Sequence, residues 1–511
     1  MITALPLEQP GRWRTVGLML IVLVAMSPAV PLLSQVPGMT PEILTGTFGS
    51  ALINSLKIAT MVALVGLFVG WPAGVLAACY EFCGRRVLLA AASLPLLVPS
   101  ILWAIGWSAL LPGGRTMEIP PLAGCVVVFA TAAVPLVLIV TYLAARGLSG
   151  SQIDAARLAG GERCVVQLVS RHAVVPASIA AGLGAVMTLS DPGPAQIFGL
   201  RSGAAEILIS FSALYDFSLA ARQCLALTAV ALVVATPLAL FGGPRIARGM
   251  LARQVHSMHP LREPAMAGVT SVVLVVIILV GVILPLSGLI RPLADGQALM
   301  RAWPVVRRTA GDTVLYASGA GAFAIALGFL LALIIGRQER LRVVALGVIL
   351  AVFALPPAMM ALGFVYLGAD APAWADPVLR SRLSVCLVSG FRFLPVAAMI
   401  GMWSLGSASS SWAMVAGLHG VPMGTYLRRV LWPFLLPSAL LGWMLIGLLA
   451  TADIGTVLLL HPPGAGSLPL AIFTVMANAP ESLVAALCMI YLAFAALLVA
   501  GIWTVAGRQR G

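Results

Sequence analysis

Charge is what this chain has least of. Only 9% of its 511 residues are charged, against 61% hydrophobic, and its mean hydropathy is +1.06. A water-soluble globular chain carries about 25% charged residues, so a fully hydrated surface is excluded and most of the surrounding solvent is lipid. Lysine is nearly missing, with Lys57 the single example. A phosphate-cradling P-loop ends in Gly-Lys-Ser or Gly-Lys-Thr. Neither occurs, so any dependence on ATP must come from separate subunits. The seven cysteines are odd in number and lie mostly in or near apolar runs, which reads as small hydrophobes rather than a disulfide framework. Cys79 and Cys83 are the nearest approach to a metal or redox pair. The histidines at 172, 256, 259, 419 and 461 gather in no one span, and neither do Asp, Glu or Cys. The reading therefore assigns no catalytic, cofactor-binding or metal-ligating residue, and an enzyme acting alone is not expected.

What the chain has is apolar runs of membrane-crossing length. A span needs about 20 such residues, and twelve stretches qualify, near 15–35, 57–79, 87–109, 121–145, 174–195, 219–241, 266–289, 314–336, 342–366, 384–406, 431–451 and 482–505. Prolines 176, 192 and 433 sit near the ends of the fifth and eleventh. The first run follows arginines, as in a signal peptide, but is long enough to read as an uncleaved first helix. The expected fold class is an all-α polytopic membrane protein of about twelve spans. The net charge of +13 fits this without nucleic acid, because Arg and Lys collect in cytoplasmic loops. Placing both termini in the cytoplasm puts Arg85, Arg163, Arg253, Arg340 and Arg429 inside, and Glu118, Glu206, Asp312, Asp370 and Glu481 outside. Arg115, Arg301, Arg307 and Arg308 run against the trend.

The chain also repeats itself. Pro99 is followed after seven residues by Gly106, and Pro356 after seven by Gly363. Pro135 is followed after nineteen by Asp154-Ala155-Ala156-x-x-x-Gly160, and Pro395 after nineteen by Met414-Val415-Ala416-x-x-x-Gly420. An Asp-x-Gly follows each pattern: Asp191 and Gly193, then Asp453 and Gly455. Single matches mean little in a chain with 35 Pro and 51 Gly, but an ordered set is hard to obtain by chance. The expected organisation is a first six-span repeat over 1–241 with an inner loop at 149–172, a cytoplasmic linker over 242–263 carrying Arg253, His256, His259 and Arg262, and a second repeat over 264–511 with an inner loop at 409–432. Six spans is an even number, so the copies are parallel, related by an axis along the membrane normal. Each third span should break at its proline and offer its glycine for close helix contact.

In the first inner loop, Ser149 or Ser151 is placed to cap a helix whose first turn holds Asp154. Ala155, Ala156 and Ala159 give a smooth face, and Gly160-Gly161 permit a sharp turn. Ser410-Ser411, Ala413 to Leu418 and Gly420 repeat the plan, ahead of Pro433. Such a short helix under the membrane suits docking into a groove of another protein; the plain alternative is an interfacial connector. These loops resemble the "EAA" loop of binding-protein-dependent ABC importer permeases. The chain from Asn54 to the last span is similar to the fused, duplicated iron(III)/thiamine-type members.

The resemblance implies a type I (MetI-like) permease core in a bacterial inner membrane. It also implies two copies of a cytoplasmic ABC ATPase docked on the loops, with ATP bound in those partners, and an extracytoplasmic binding protein that hands over a small solute. Across the family that solute is iron(III), thiamine, a phosphonate-like anion or a polyamine, and for this chain it stays open. Asp154, Ala155, Ala156 and Gly160 correspond to the first copy of the motif; Met414, Val415, Ala416, Gly420 and Pro433 correspond to the second. Two departures stand out. Pro176 is sixteen residues after Gly160 instead of thirteen, which implies an outgoing segment about one turn longer, and Met414 replaces the acid.

Arg392 falls deep in the tenth span, where a charge usually faces a bundle interior or a water-filled path. It is a candidate for contact with an anionic substrate, for a structural pair with Asp453, or for a misjudged span boundary. Asp191 and Asp453 end the fifth and eleventh spans, at or above the outer surface. A helix-ending role is the plainer reading for them and the solute path the second. The rival functions are a six-plus-six secondary transporter driven by an ion gradient and a non-transporting membrane scaffold. The first would need intramembrane acids, which are nearly absent, and does not explain two matched inner helices; the broken spans and the duplication argue weakly against the second.

Overall fold

The structure, a computed structural model, describes residues 12–38, 40–110, 120–251, 261, 263–294, 296–369 and 371–508. Arg115, Glu118, Arg253, His256, His259, Arg262 and Asp370 lie outside them. Among the described residues every regular element is helical, apart from an isolated bridge between Tyr80 and Leu261. In chain order the helices are α1 (Trp13–Gly38), α2 (Thr47–Cys79), the bent pair α3 (Arg85–Leu97) and α4 (Ser100–Leu110), α5 (Pro121–Ala145) and α6 (Gly150–Ser190). The short α7 (Gly203–Ser212), α8 (Phe217–Gly249), α9 (Pro264–Leu293), α10 (Ala298–Ile335) and the bent pair α11 (Glu339–Ala354) and α12 (Pro357–Ala369) follow. Then come α13 (Arg382–Ser407), the short α14 (Ser410–Leu418), α15 (Met423–Ala452), the short α16 (Ile454–Leu460) and α17 (Leu468–Val475), and α18 (Glu481–Gly501). Ten helices are long and apolar enough to cross a membrane, and twelve crossings result if each bent pair counts as one.

The bends fall at the two prolines read from sequence. α3 and α4 meet at 99°, α11 and α12 at 81°. Val98 and Leu355, each preceding a proline, have extended ψ values of 141° and 131°, because the proline ring bars its predecessor from the helical region. Beyond each bend the glycine lets two backbones touch. A Cβ on Gly106 would run into the Pro285 carbonyl of α9, and one on Gly363 into the Pro28 carbonyl of α1. Each half's first helix therefore leans on the other half's bent pair.

Other contacts recur in the same order. The Gly203 N–H, at the start of α7, donates to Ser55 Oγ of α2 at 2.9 Å; the Leu468 N–H, at the start of α17, donates to Thr313 Oγ1 of α10 at 2.8 Å. Arg85 donates back to the Ala77 carbonyl at 2.7 Å, and Arg342 to the Gly336 carbonyl at 2.8 Å, each satisfying an orphan carbonyl at a helix end. Gly70 meets α5 at Val134 and Val137, and Gly328 meets α13 at Ala397.

Two of the three prolines near the span ends lie inside helices: the part of α6 beyond its break at Gly160-Gly161 runs on through Pro176, and α15 begins ten residues before Pro433, since a bundle re-satisfies the backbone groups an interior proline frees. Pro192 lies beyond the end of α6 at Ser190. One expectation is corrected. The outgoing segments are of similar length, ending at Ser190 and Ala452, so the shifted proline adds no turn. Pro176 lies fifteen residues before Asp191 and Pro437 sixteen before Asp453, which makes Pro437 its positional match. The helical stretch of α8, counted to its last turn, continues past 242 to Leu251, so the start of the expected linker is helical.

Candidate functional site

Where the two halves face each other they enclose a cavity of about 160 Å³. Its walls come from α3 to α6 and Asp191-Pro192-Gly193 on one side. On the other they come from Phe353, Pro357, α13, the end of α15 and Asp453-Ile454-Gly455. Many lining positions match between halves: Leu96 with Phe353, Ser100 with Pro357, Ala132 with Arg392, Met187 with Leu449, Asp191 with Asp453, and Gly193 with Gly455. The three path residues, Arg392, Asp191 and Asp453, all line this one space.

Asp191 and Asp453 end helices, as read from sequence, and both line the cavity. Asp191 follows the last residue of α6; its Oδ2 accepts from Ser100 Oγ at 2.5 Å and its Oδ1 from the Gly193 N–H at 2.9 Å. Asp453 caps α16, accepting from the Thr456 N–H at 3.2 Å and the Thr456 hydroxyl at 2.6 Å. Its side chain is 3% exposed, and Arg392 Nε stands 3.4 Å from its Oδ2. Arg392 sits ten residues into α13, about 15 Å along the helix axis. Its guanidinium also lies 5.6 Å from the Phe393 ring centre, a cation–π contact. A buried charge without a partner is far more costly than one paired and hydrogen-bonded, so the pair accounts for Arg392 in an apolar span. Its Nη1 is buried without a hydrogen-bond partner, and its side chain borders the cavity.

The second candidate site is the pair of turns between spans. Six crossings separate the first from the second, counting the bent pair α11 and α12 as one, so both emerge at the same end of the bundle. Ser149 caps α6, accepting from the Gln152 N–H while its own N–H donates to Gln152 Oε1 at 3.1 Å. This capping box starts the helix at Gly150, which leaves Asp154 beyond the first turn and exposed to solvent. Asp154 is therefore not placed to meet the helix dipole. The helix breaks at Gly160-Gly161, and the left-handed residue is Gly161 (φ 69°) rather than Gly160 (φ −170°). In the second copy Gly420 itself is left-handed at φ 63°. Ser409 precedes α14 without a side-chain cap; its hydroxyl bonds that of Ser411 at 2.7 Å.

Each short helix roots one side chain and exposes others. Ile153 and Ala413 are buried at 3% and 6%. Ala155, Met414 and Val415 are exposed, Ala156 is half-buried and Ala416 is buried. Sequence reasoning passed over the most exposed pair, Leu158 at 90% and Leu418 at 61%. The signal was visible, because each leucine stands two residues before its motif glycine. It also missed Ser100 and Thr456, the hydroxyls that hold the two aspartates, and the short α7 and α17. Serines at 202 and 467 cap that last pair, accepting from the Ala205 and Leu470 N–H groups. Among the described residues no three His, Cys, Asp or Glu side chains come together as a metal site. No protein-family model, no curated protein and no solved structure matches this chain.

Proposed function

We propose that this chain is the membrane-spanning permease of an ATP-driven importer. It consists of two parallel six-span copies with a type I permease core, set in a bacterial inner membrane with both termini in the cytoplasm. A small solute, delivered by an extracytoplasmic binding protein, passes through the cavity between the copies. Two cytoplasmic ABC ATPases dock on the turns around Asp154 to Gly160 and Met414 to Gly420. The chain itself hydrolyses nothing.

The observation that carries this reading is the pair of short helices at one end of the bundle, each ending in a left-handed glycine and presenting an exposed leucine, Leu158 or Leu418. A large apolar side chain exposed at matching places is a feature of interaction surfaces. The recurring contacts, Gly106 with Pro285 against Gly363 with Pro28 and Ser55 with Gly203 against Thr313 with Leu468, support two copies. One observation favours the rival secondary carrier: two carboxylates, Asp191 and Asp453, face the central cavity, where coupling ions bind in such carriers. Uptake by vesicles carrying the chain with its ATPase and binding protein separates the two. The importer reading predicts transport that needs ATP and survives ionophores; transport that follows an imposed ion gradient without ATP would overturn it.

A further inference from the structure

Arg301, Arg307 and Arg308 run against the usual charge bias of a membrane protein, and the fold gives them a common place. Three crossings, α6, α8 and α9, separate the first turn from the start of α10. The three arginines therefore stand at the end of the bundle away from the turns. Residues 313–336 carry no charge and are long enough by themselves to cross a hydrocarbon layer of about 30 Å. Residues 298–312 extend α10 beyond that stretch. One face of the extension is fixed, because Ala298, Ala302 and Val306 are buried in a cluster with Trp103 and Tyr491. The other face presents Met300 and Trp303, 77% and 62% exposed, among the three exposed arginines.

The arginines are not explained by local structure. Arg301 falls in the first turn of α10, where the helix dipole disfavours a cation; its Nη2 donates to Gln297 Oε1 at 3.0 Å. Arg307 and Arg308 are adjacent like charges, and among the described residues neither has a hydrogen bond, an ion pair or a ring contact. Nor do they recur in the first half. The matched contacts of Gly203 with Ser55 and Leu468 with Thr313 set the register of α2 on α10. That register places Ile43, Gly49 and Ser50 where Arg301, Arg307 and Arg308 stand.

We propose that this face of α10 is the dock for the extracytoplasmic binding protein, which meets it with an acidic surface. The identity of the partner rests on the importer reading; the sign of its surface rests on the arginines. Exposed Trp and Met among arginines is the composition of a protein interface centre. A protein fits it better than a lipid headgroup does. Arg301 stands eleven residues before Asp312, about 16 Å along the axis, whereas a headgroup layer is about 5–8 Å deep. Charge on one half alone also gives a single partner one orientation over two otherwise matched halves, since electrostatic complementarity fixes register.

The test starts in intact cells. A benzophenone amino acid replaces Trp303 in the full chain, the cells are irradiated, and adducts are identified by mass spectrometry. The captured protein is purified, and its binding to the chain in phosphatidylcholine nanodiscs is measured with and without Arg307→Glu plus Arg308→Glu. The proposal expects a soluble extracytoplasmic protein linked through a segment rich in Asp and Glu. It expects binding at least tenfold weaker in the double reversal, and recovery when acids of that segment are changed to Arg. Adducts with lipid alone, or with no protein, would overturn it. So would an affinity indifferent to the reversal, or a loss that the acid-to-Arg changes do not rescue. The importer reading fails on a different result, a native chain that brings down no ATPase, so the two can fail separately.

Discussion

The two halves of the chain bring different chemistry to the same cavity. On the first-half wall Asp191 is held by the Ser100 hydroxyl and a backbone N–H, opposite the small Ala132. On the second-half wall Pro357 stands where Ser100 would be and can donate nothing. Asp453 takes the Thr456 hydroxyl instead, and Arg392, the counterpart of Ala132, supplies a positive charge. The turns differ in the same way. One is a capped helix with Asp154 and Arg157 exposed; the other is uncapped and exposes Met414 and Val415. Contacts recur in the two halves at matching places, while the groups that make them differ, so each half needs its own partners.

The largest test of this contrast is at Arg392. Arg392→Leu leaves Asp453 charged and unpaired among apolar neighbours, which costs about 3 kcal/mol, read as lost thermal stability in detergent. Asp191 is held by the Ser100 hydroxyl and the Gly193 N–H and feels Arg392 only through space, so Ser100→Ala should cost about 1–2 kcal/mol, the loss of one bond to a charged acceptor. If the two variants were equally stable, the contrast between the walls would collapse.

Next come the turn glycines. Gly161 (φ 69°, ψ −156°) occupies a region almost closed to other residues, so Gly161→Val should cost about 2–3 kcal/mol. Gly420, at φ 63° with open space around its Cα, should tolerate Ala at about 1–2 kcal/mol. Gly160 has an ordinary extended φ, but a Cβ there would collide with Cys164 Sγ. Gly160→Ala should therefore be relieved by Cys164→Ala. Stability measurements that rank Gly160 above Gly161 would show the break to be misplaced.

The smallest effect concerns the caps. Ser149→Ala removes a capping box and should cost about 1 kcal/mol. Ser409→Ala removes a hydroxyl that caps nothing and should be nearly silent. Proteolysis of the turn at its first helix reads the difference, and equal sensitivity in both variants would contradict it.

Much of the architecture was legible because membrane helices announce themselves by length and apolarity, and because Pro99 and Pro356 recur with their glycines at one spacing, which set them apart from prolines such as Pro135, Pro176 and Pro395 that stay inside helices. The cavity was less so. Asp191 and its donor Ser100 are 91 residues apart, and no local pattern shows that a helix-ending acid turns inward to meet a hydroxyl beyond a bend. Arg392 announced a need for a partner, and Asp453 was among the choices, because a charge deep in an apolar run must be met. The sharp turn was legible as the pair Gly160-Gly161, but which of the two is left-handed was not, since spacing aligns Gly160 with Gly420 while only φ singles out Gly161. The joint between the halves was read from the charge of 242–263, which says nothing of its local structure, and the helix carries on through Gly242, Gly243 and Pro244.

The account's central claim, that the two turns are docking points for two ATPases, is tested most directly by counting subunits. The chain is purified from membranes with its partners, and the ATPase-to-chain ratio is measured for the native chain, Leu158→Asp, Leu418→Asp and the double variant. The account predicts two ATPases per native chain, at least a tenfold loss of copurification in the double variant, and a partial loss in each single one. A native chain that brings down no ATPase, or a double variant that retains two, would contradict it.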